Sequence, residues 1–170
     1  MRQHRSLVAA ECNLSDMRVK CESNVPAAFN EVGAVFTNVA GSSRQNAMLQ
    51  VQEKWVSGGL GCSGDPLVIR RVYTLVDAMD HPMKVCSHTI TVEDDEPPAI
   101  TCSEVAQGTS CEFAFGTATA KDNCGLDVGL AKTFYFEPFE GSNHIVNAWT
   151  ATDACGNTAS CTQRLVCEDQ

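Results

Sequence analysis

Along the C-terminal part of the chain, polar and apolar side chains alternate with period two. Ile145, Asn147, Trp149 and Ala151 fall on one face of a strand, and Cys161, Leu165 and Cys167 share a face of the next. Between them lies Asp153-Ala-Cys-Gly-Asn157, in which Gly156 and Asn157 tolerate positive φ and the Asp153 carboxylate can accept turn N–H groups. The pattern predicts strand, tight turn, strand. Similar alternation places further strands over Asp16–Cys21, Gly33–Val39, Asn46–Ser57, Leu67–Val76 and Met83–Val92, with Gly58–Pro66 as a glycine-rich loop. Beyond residue 98 it places them over Ala99–Cys102, Cys111–Ala118, Leu126–Phe136, Asn143–Thr152 and Ala159–Cys167, with Glu137–Gly141 as a turn. Leu49, Val51 and Trp55 share a face broken by Glu53, and Val128, Leu130, Phe134 and Phe136 share one broken by Lys132. No long run has the 3.6-residue apolar period of a helix.

The final hairpin has an earlier counterpart. Val72-Tyr-Thr-Leu-Val-Asp77-Ala78 lines up with Ala148-Trp-Thr-Ala-Thr-Asp153-Ala154. After a one-residue adjustment at Pro82, Cys86–Asp94 lines up with Cys161–Asp169. The openings match as well, Arg18-Val-Lys-Cys21 with Ala99-Ile-Thr-Cys102 and Gly61-Cys62 with Asn123-Cys124. An internal repeat of this length fixes the architecture: two domains in tandem, 11–96 and 97–170, preceded by a tail over 1–10. Strands about every ten residues with Gly, Pro and Asn between them suggest β-sandwiches.

Asp95-Glu-Pro-Pro-Ala-Ile-Thr-Cys102, Ala120-Lys-Asp-Asn-Cys-Gly125 and Ala151-Thr-Asp-Ala-Cys-Gly-Asn-Thr-Ala-Ser-Cys161 resemble the hyalin-repeat (HYR) domain, closest to the cysteine-rich versions of long bacterial surface proteins and gliding adhesins. The resemblance covers 97–170 well and 11–96 loosely. It implies an all-β chain of two tandem immunoglobulin-like β-sandwich domains serving as extracellular adhesion or spacer modules. The first copy departs from the pattern: Met79 stands where Cys155 does, and it has no Asp-Asn-Cys-Gly.

Domains this small bury limited apolar surface and need bracing. Ten cysteines offer it and point to an oxidising, extracellular or cell-surface location. The repeat suggests Cys21–Cys86 and Cys102–Cys161 as equivalent bonds from first strand to last. It also suggests Cys124–Cys155 between the two Asp-x-Cys-Gly turns, leaving Cys12–Cys62 and Cys111–Cys167 as the remaining pairs. Zinc fits poorly, since the closest cysteines, such as Cys155 and Cys161, are spaced too widely for Cys-x2–4-Cys pairs.

A net charge of −9 argues against nucleic acid and anionic membranes, and no apolar run approaches a membrane span. The run Leu7–Ala10 is too short for a signal peptide core, so a leader is missing or the chain was cut from a longer one. Asn13-Leu-Ser15 is a glycosylation sequon. Glu93, Asp94, Asp95 and Glu96 precede Pro97-Pro98 at the joint. They read most simply as solvated acids and more sharply as calcium ligands, although no EF-hand spacing is present.

No hydrolase, metalloprotease or phosphate-loop motif occurs, and Cys86-Ser-His88 is the one place where a thiol and an imidazole share a face. The chain therefore reads as a non-enzyme. Trp55, Tyr73 and Trp149 could stack sugars, but each lies on an alternating strand and reads as core. The leading expectation is the repeating subunit of an extracellular filament, self-associating head to tail, with Ser6–Ala10 adding as a strand to a neighbour or Cys12 bonding one. The alternative is a calcium- or glycan-binding adhesion module from a longer cell-surface protein.

Overall fold

The alternating segments become antiparallel hairpins. The computed structural model describes residues 10–39, 47–104, 116–125, 127–139 and 142–166. The chain is predominantly strand, with almost no helix. It divides into two units, Met1–Asp94 and Asp95–Gln170, close to the boundary read from the repeat.

The first unit contains β1 (Glu11–Cys12), β2 (Met17–Val19), the one-turn helix α1 (Val32–Val35), β3 (Phe36–Thr37), β4 (Met48–Cys62), β5 (Asp65–Val76) and β6 (Pro82–Val92). Strands β2-β6-β5-β4 form a four-stranded sheet, with β2 parallel to β6, and β1-β3 form a two-stranded one. On β5 the residues at 67, 69, 71, 73 and 75 are buried, as half-covered strands require. Tyr73, Leu75 and Cys86 pack with Ala10, Val35 and Phe36, and Leu67, Ile69, Ile90 and Val92 form a second cluster with Val19 and Val25. Ala10 is thus rooted in its own unit's core rather than standing outside the repeat.

Two expectations fail here. The stretch read as strand Gly33–Val39 is a helical turn followed by the short β3. The glycine-rich stretch 58–66 is not a loop, because β4 continues to Cys62 and the turn is confined to Ser63-Gly64. Glycine makes this possible: a Cβ on Gly59 would fall on the backbone of Asp65 and Pro66. The bulges between Trp55/Ser57 and Gly58/Cys62 are patched by Ser57. Its hydroxyl donates to the Pro66 carbonyl at 2.7 Å and accepts the Val68 N–H at 3.1 Å.

The second unit contains β7 (Ala99–Cys102), β8 (Ala118–Lys121), β9 (Gly129–Phe139), β10 (Ser142–Thr152) and β11 (Thr158–Val166). Strands β11-β10-β9 form a three-stranded sheet and β7-β8 a two-stranded one. β9 runs through the expected turn as far as Phe139, carrying Pro138 opposite Asn143. An edge strand tolerates proline because its outer N–H groups have no ladder to complete.

The repeat survives in the register. Cys86 lies opposite Tyr73, His88 opposite Arg71 and Ile90 opposite Ile69. In the second unit Cys161 lies opposite Trp149, Gln163 opposite Asn147 and Leu165 opposite Ile145. The one-residue sequence adjustment at Pro82 is a β-bulge: the register shifts between Leu75 and Val76, leaving Met83 as the extra residue.

Candidate interaction surface

Two turns are built alike from different residues. Asp77 Oδ1 accepts the N–H groups of Met79 at 2.8 Å and His81 at 3.0 Å. Asp153 Oδ1 accepts those of Cys155 and Asn157, both at 2.9 Å. The fourth position has positive φ in both turns, 60° at Asp80 and 84° at Gly156. The two N–H bonds hold the Asp77 carboxyl below the usual carboxylate range, His81 contributing first and Met79 second. Asp122 repeats the device, accepting the Cys124 N–H at 2.7 Å, with Gly125 at φ 74°. These aspartates are turn caps, as their spacing predicts.

In each unit a disulfide ties the two-stranded sheet to the larger one. Cys12 on β1 bonds Cys86 on β6, and Cys102 on β7 bonds Cys161 on β11. Cys102–Cys161 is the pairing read from the repeat. Cys12–Cys86 overturns the expected Cys21–Cys86 and with it Cys12–Cys62. Neighbouring contacts show why. Gln163 Nε2 donates to the Ser103 carbonyl at 2.6 Å, one residue beyond Cys102. Its counterpart His88 directs Nδ1 at the Ser15 carbonyl at 3.3 Å, shortly after Cys12. The counterpart of Cys102 in the first unit is therefore Cys12, and the short match of Cys21 to Cys102 is off register. Cys21, Cys62, Cys124 and Cys155 are also disulfide-bonded, giving four disulfides. Cys111 and Cys167 lie outside the described residues.

The thiol–imidazole pair has no free thiol. Cys86 is bonded to Cys12, while His88 is buried between Tyr73 and Phe29, with ring centroids 5.8 Å and 6.4 Å away. At the joint, Glu93 pairs with Arg18 at 2.6 Å and accepts the Ser63 hydroxyl at 3.2 Å, and Glu96 accepts the Asn123 amide at 3.2 Å. Asp94 is buried and Asp95 exposed. Of the four calcium candidates, Glu93 and Glu96 thus already have protein donors. Asn13 is exposed, as a sequon in use must be.

The aromatic expectations divide. Tyr73 is fully buried and its hydroxyl accepts the Phe29 N–H at 3.3 Å. Trp149 is half-buried, giving its indole N–H to Gln163 at 2.9 Å under the Lys132 ammonium, which lies 5.4 Å from the ring centre. Trp55, expected in the core, is 52% exposed. On β9, Leu130, Phe134 and Phe136 are likewise outside, Phe134 at 65% and Phe136 at 64%. Alternation correctly grouped these side chains on one face, the face that buries Ala151, Asn147 and Gln163 further into the sheet. It could not show that Leu130, Phe134 and Phe136 stand exposed on it.

β4 does the same in the first unit. Both are edge strands, so among the described residues one side of each lacks a ladder partner in its sheet. Trp55 lies opposite Ile69 and Phe136 opposite Ile145, which are matching positions of the repeat. Each unit therefore presents an open strand edge with an exposed aromatic residue at the same place. Open edges are templates for strand addition where bulges and proline leave them clear, here Met48–Trp55 on β4 and Gly129–Glu137 on β9.

No protein-family model matches the chain, and no curated protein matches it in sequence. Among the described residues no helix is long and apolar enough to cross a membrane. The four disulfides suit an oxidising, extracellular setting.

Proposed function

We propose that this chain is an extracellular structural protein, the repeating subunit of a surface filament or adhesin-type fibre. Its two units act as HYR-like, immunoglobulin-like modules. The observation carrying this reading is the pair of open edges, β4 and β9, each with an exposed aromatic residue at the matching repeat position. Two different edges on one chain allow heterologous contacts, which extend into fibres when their rotation does not close. Bracing between large and small sheets, through Cys12–Cys86 and Cys102–Cys161, suits a module exposed outside the cell.

The test is electron microscopy with sedimentation velocity on purified, oxidised protein over a wide concentration range. Filaments or a concentration-dependent ladder of oligomers support the reading, and a monomer at the highest concentration ends it. Removing residues 1–10 tests the tail: filaments that persist exclude strand donation by Ser6–Ala10.

A further inference from the structure

We infer that the joint between subunits is an antiparallel pairing of β4 in one copy with β9 in the next, in the register that sets Glu53 opposite Lys132. This rests on the filament reading and specifies its contact. Both strands are edges, and both are long, Met48–Cys62 and Gly129–Phe139. On the face that each unit partly buries, β4 carries Leu49, Val51, Glu53 and Trp55, while β9 carries Leu130, Lys132, Phe134 and Phe136. Each stripe is apolar except for one charge, negative on β4 and positive on β9.

The antiparallel pairing of unlike edges satisfies both stripes. With Glu53 opposite Lys132, Leu49 meets Phe136, Val51 meets Phe134 and Trp55 meets Leu130. Every apolar side chain then gains an apolar cross-strand partner, and Lys132 meets the carboxylate that also holds Arg71. On the reverse face the same register sets Gln50 opposite Tyr135 and Gln52 opposite Thr133. Like-with-like pairing fails this test. Two β4 edges set Glu53 against Glu53 or against Val51 or Trp55. Two β9 edges set Lys132 against Lys132 or against a phenylalanine. Directly opposed like charges destabilise a sheet, and the offset registers set a charge where the facing stripe offers an apolar side chain.

The groups needed are within reach. Glu53 uses Oε2 to hold the buried Arg71 at 2.7 Å, and its side chain is 39% exposed. A carboxylate has acceptor capacity for a second cation beside the guanidinium. Phe134 and Phe136 meet edge to face at 6.4 Å, an exposed pair that an incoming strand would cover. Because β4 and β9 differ, every assembly keeps one β4 and one β9 free at its two ends, and addition continues head to tail.

The experiment mixes two single variants, Val51→Cys and Phe134→Cys, under mild oxidation and maps cross-linked peptides by mass. A disulfide joining position 51 of one labelled copy to position 134 of the other is expected. A second measurement avoids new thiols: Phe134→Glu should weaken self-association at least tenfold, and adding Val51→Lys should restore most of it. Both positions are exposed, so the fold is not at stake. Filaments that form unchanged with Phe134→Glu and show no link between positions 51 and 134 overturn this joint and leave the filament reading intact. An unmodified protein that never associates overturns both.

Discussion

Gln163 accepts the indole N–H of Trp149 at 2.9 Å and turns its own amide to the Ser103 and Thr117 carbonyls, at 2.6 Å and 3.2 Å. One buried side chain thereby joins β10, β11 and the two-stranded sheet. Each group it satisfies would otherwise be a desolvated orphan.

Gln163→Leu should therefore lower the stability of the second unit by about 1–3 kcal/mol in chemical denaturation of the oxidised protein. Gly116 lies against the same amide, where a Cβ would displace it. Gly116→Ala should be costly in the wild type and nearly free in the Gln163→Ala background, a non-additivity of about 0.5–3 kcal/mol. Additive effects would show that the amide is not held there.

Non-reducing peptide mapping should recover Cys12 linked to Cys86 and Cys102 linked to Cys161. Replacing either pair by alanine should cost up to about 4 kcal/mol, because the closed loops are long, with sequence separations of 74 and 59. The two losses should be similar, since loop entropy grows only with the logarithm of length.

The hairpin β10–β11 and its counterpart β5–β6 were legible in the sequence because Asp153 and Asp77 mark the turns and period-two alternation runs along the strands on either side. The bulge at Met83 was legible only as an alignment gap. The partner of Cys86 was not legible: four matched residues around Cys21 carry no register, whereas the carbonyl contacts of His88 and Gln163 do. The exposure of Trp55, Phe134 and Phe136 was also hidden. Periodicity says which side chains share a face, not whether that face is covered. The exposed stripes were thus written in the pattern with its sign reversed.

The turns should respond unequally. Asp153 is 6% exposed and also accepts the Asn157 side-chain amide at 3.0 Å, whereas the Asp77 side chain is 41% exposed. Asp153→Ala should cost about 1–3 kcal/mol and Asp77→Ala clearly less. Gly156→Ala, forced into the left-handed region, should cost about 1–2 kcal/mol, and Asp80→Gly should be neutral or stabilising. Thermal melts of the four variants give the order directly.

The Asp77 carboxyl should titrate below its ordinary value of 3.8. Because the folded value is the lower one, its stabilising effect is complete above the ordinary value. It is lost as pH falls through the folded value. Carboxyl NMR should show that midpoint together with loss of protection at the Met79 and His81 amides. A midpoint at or above 3.8 would remove the hydrogen-bonding explanation.

The bonds Cys12–Cys86 and Cys102–Cys161 also decide how this chain would bear tension. A pull along the backbone passes from Cys12 straight to Cys86 and from Cys102 straight to Cys161. When the pull is applied at the two chain ends, the strands between those positions carry no load. Only the segments outside the two closed loops can lengthen, at roughly 3.3–3.6 Å per residue. A chain drawn out by its two ends would stiffen after a small extension instead of unravelling, and a reducing agent would turn it compliant without breaking its backbone.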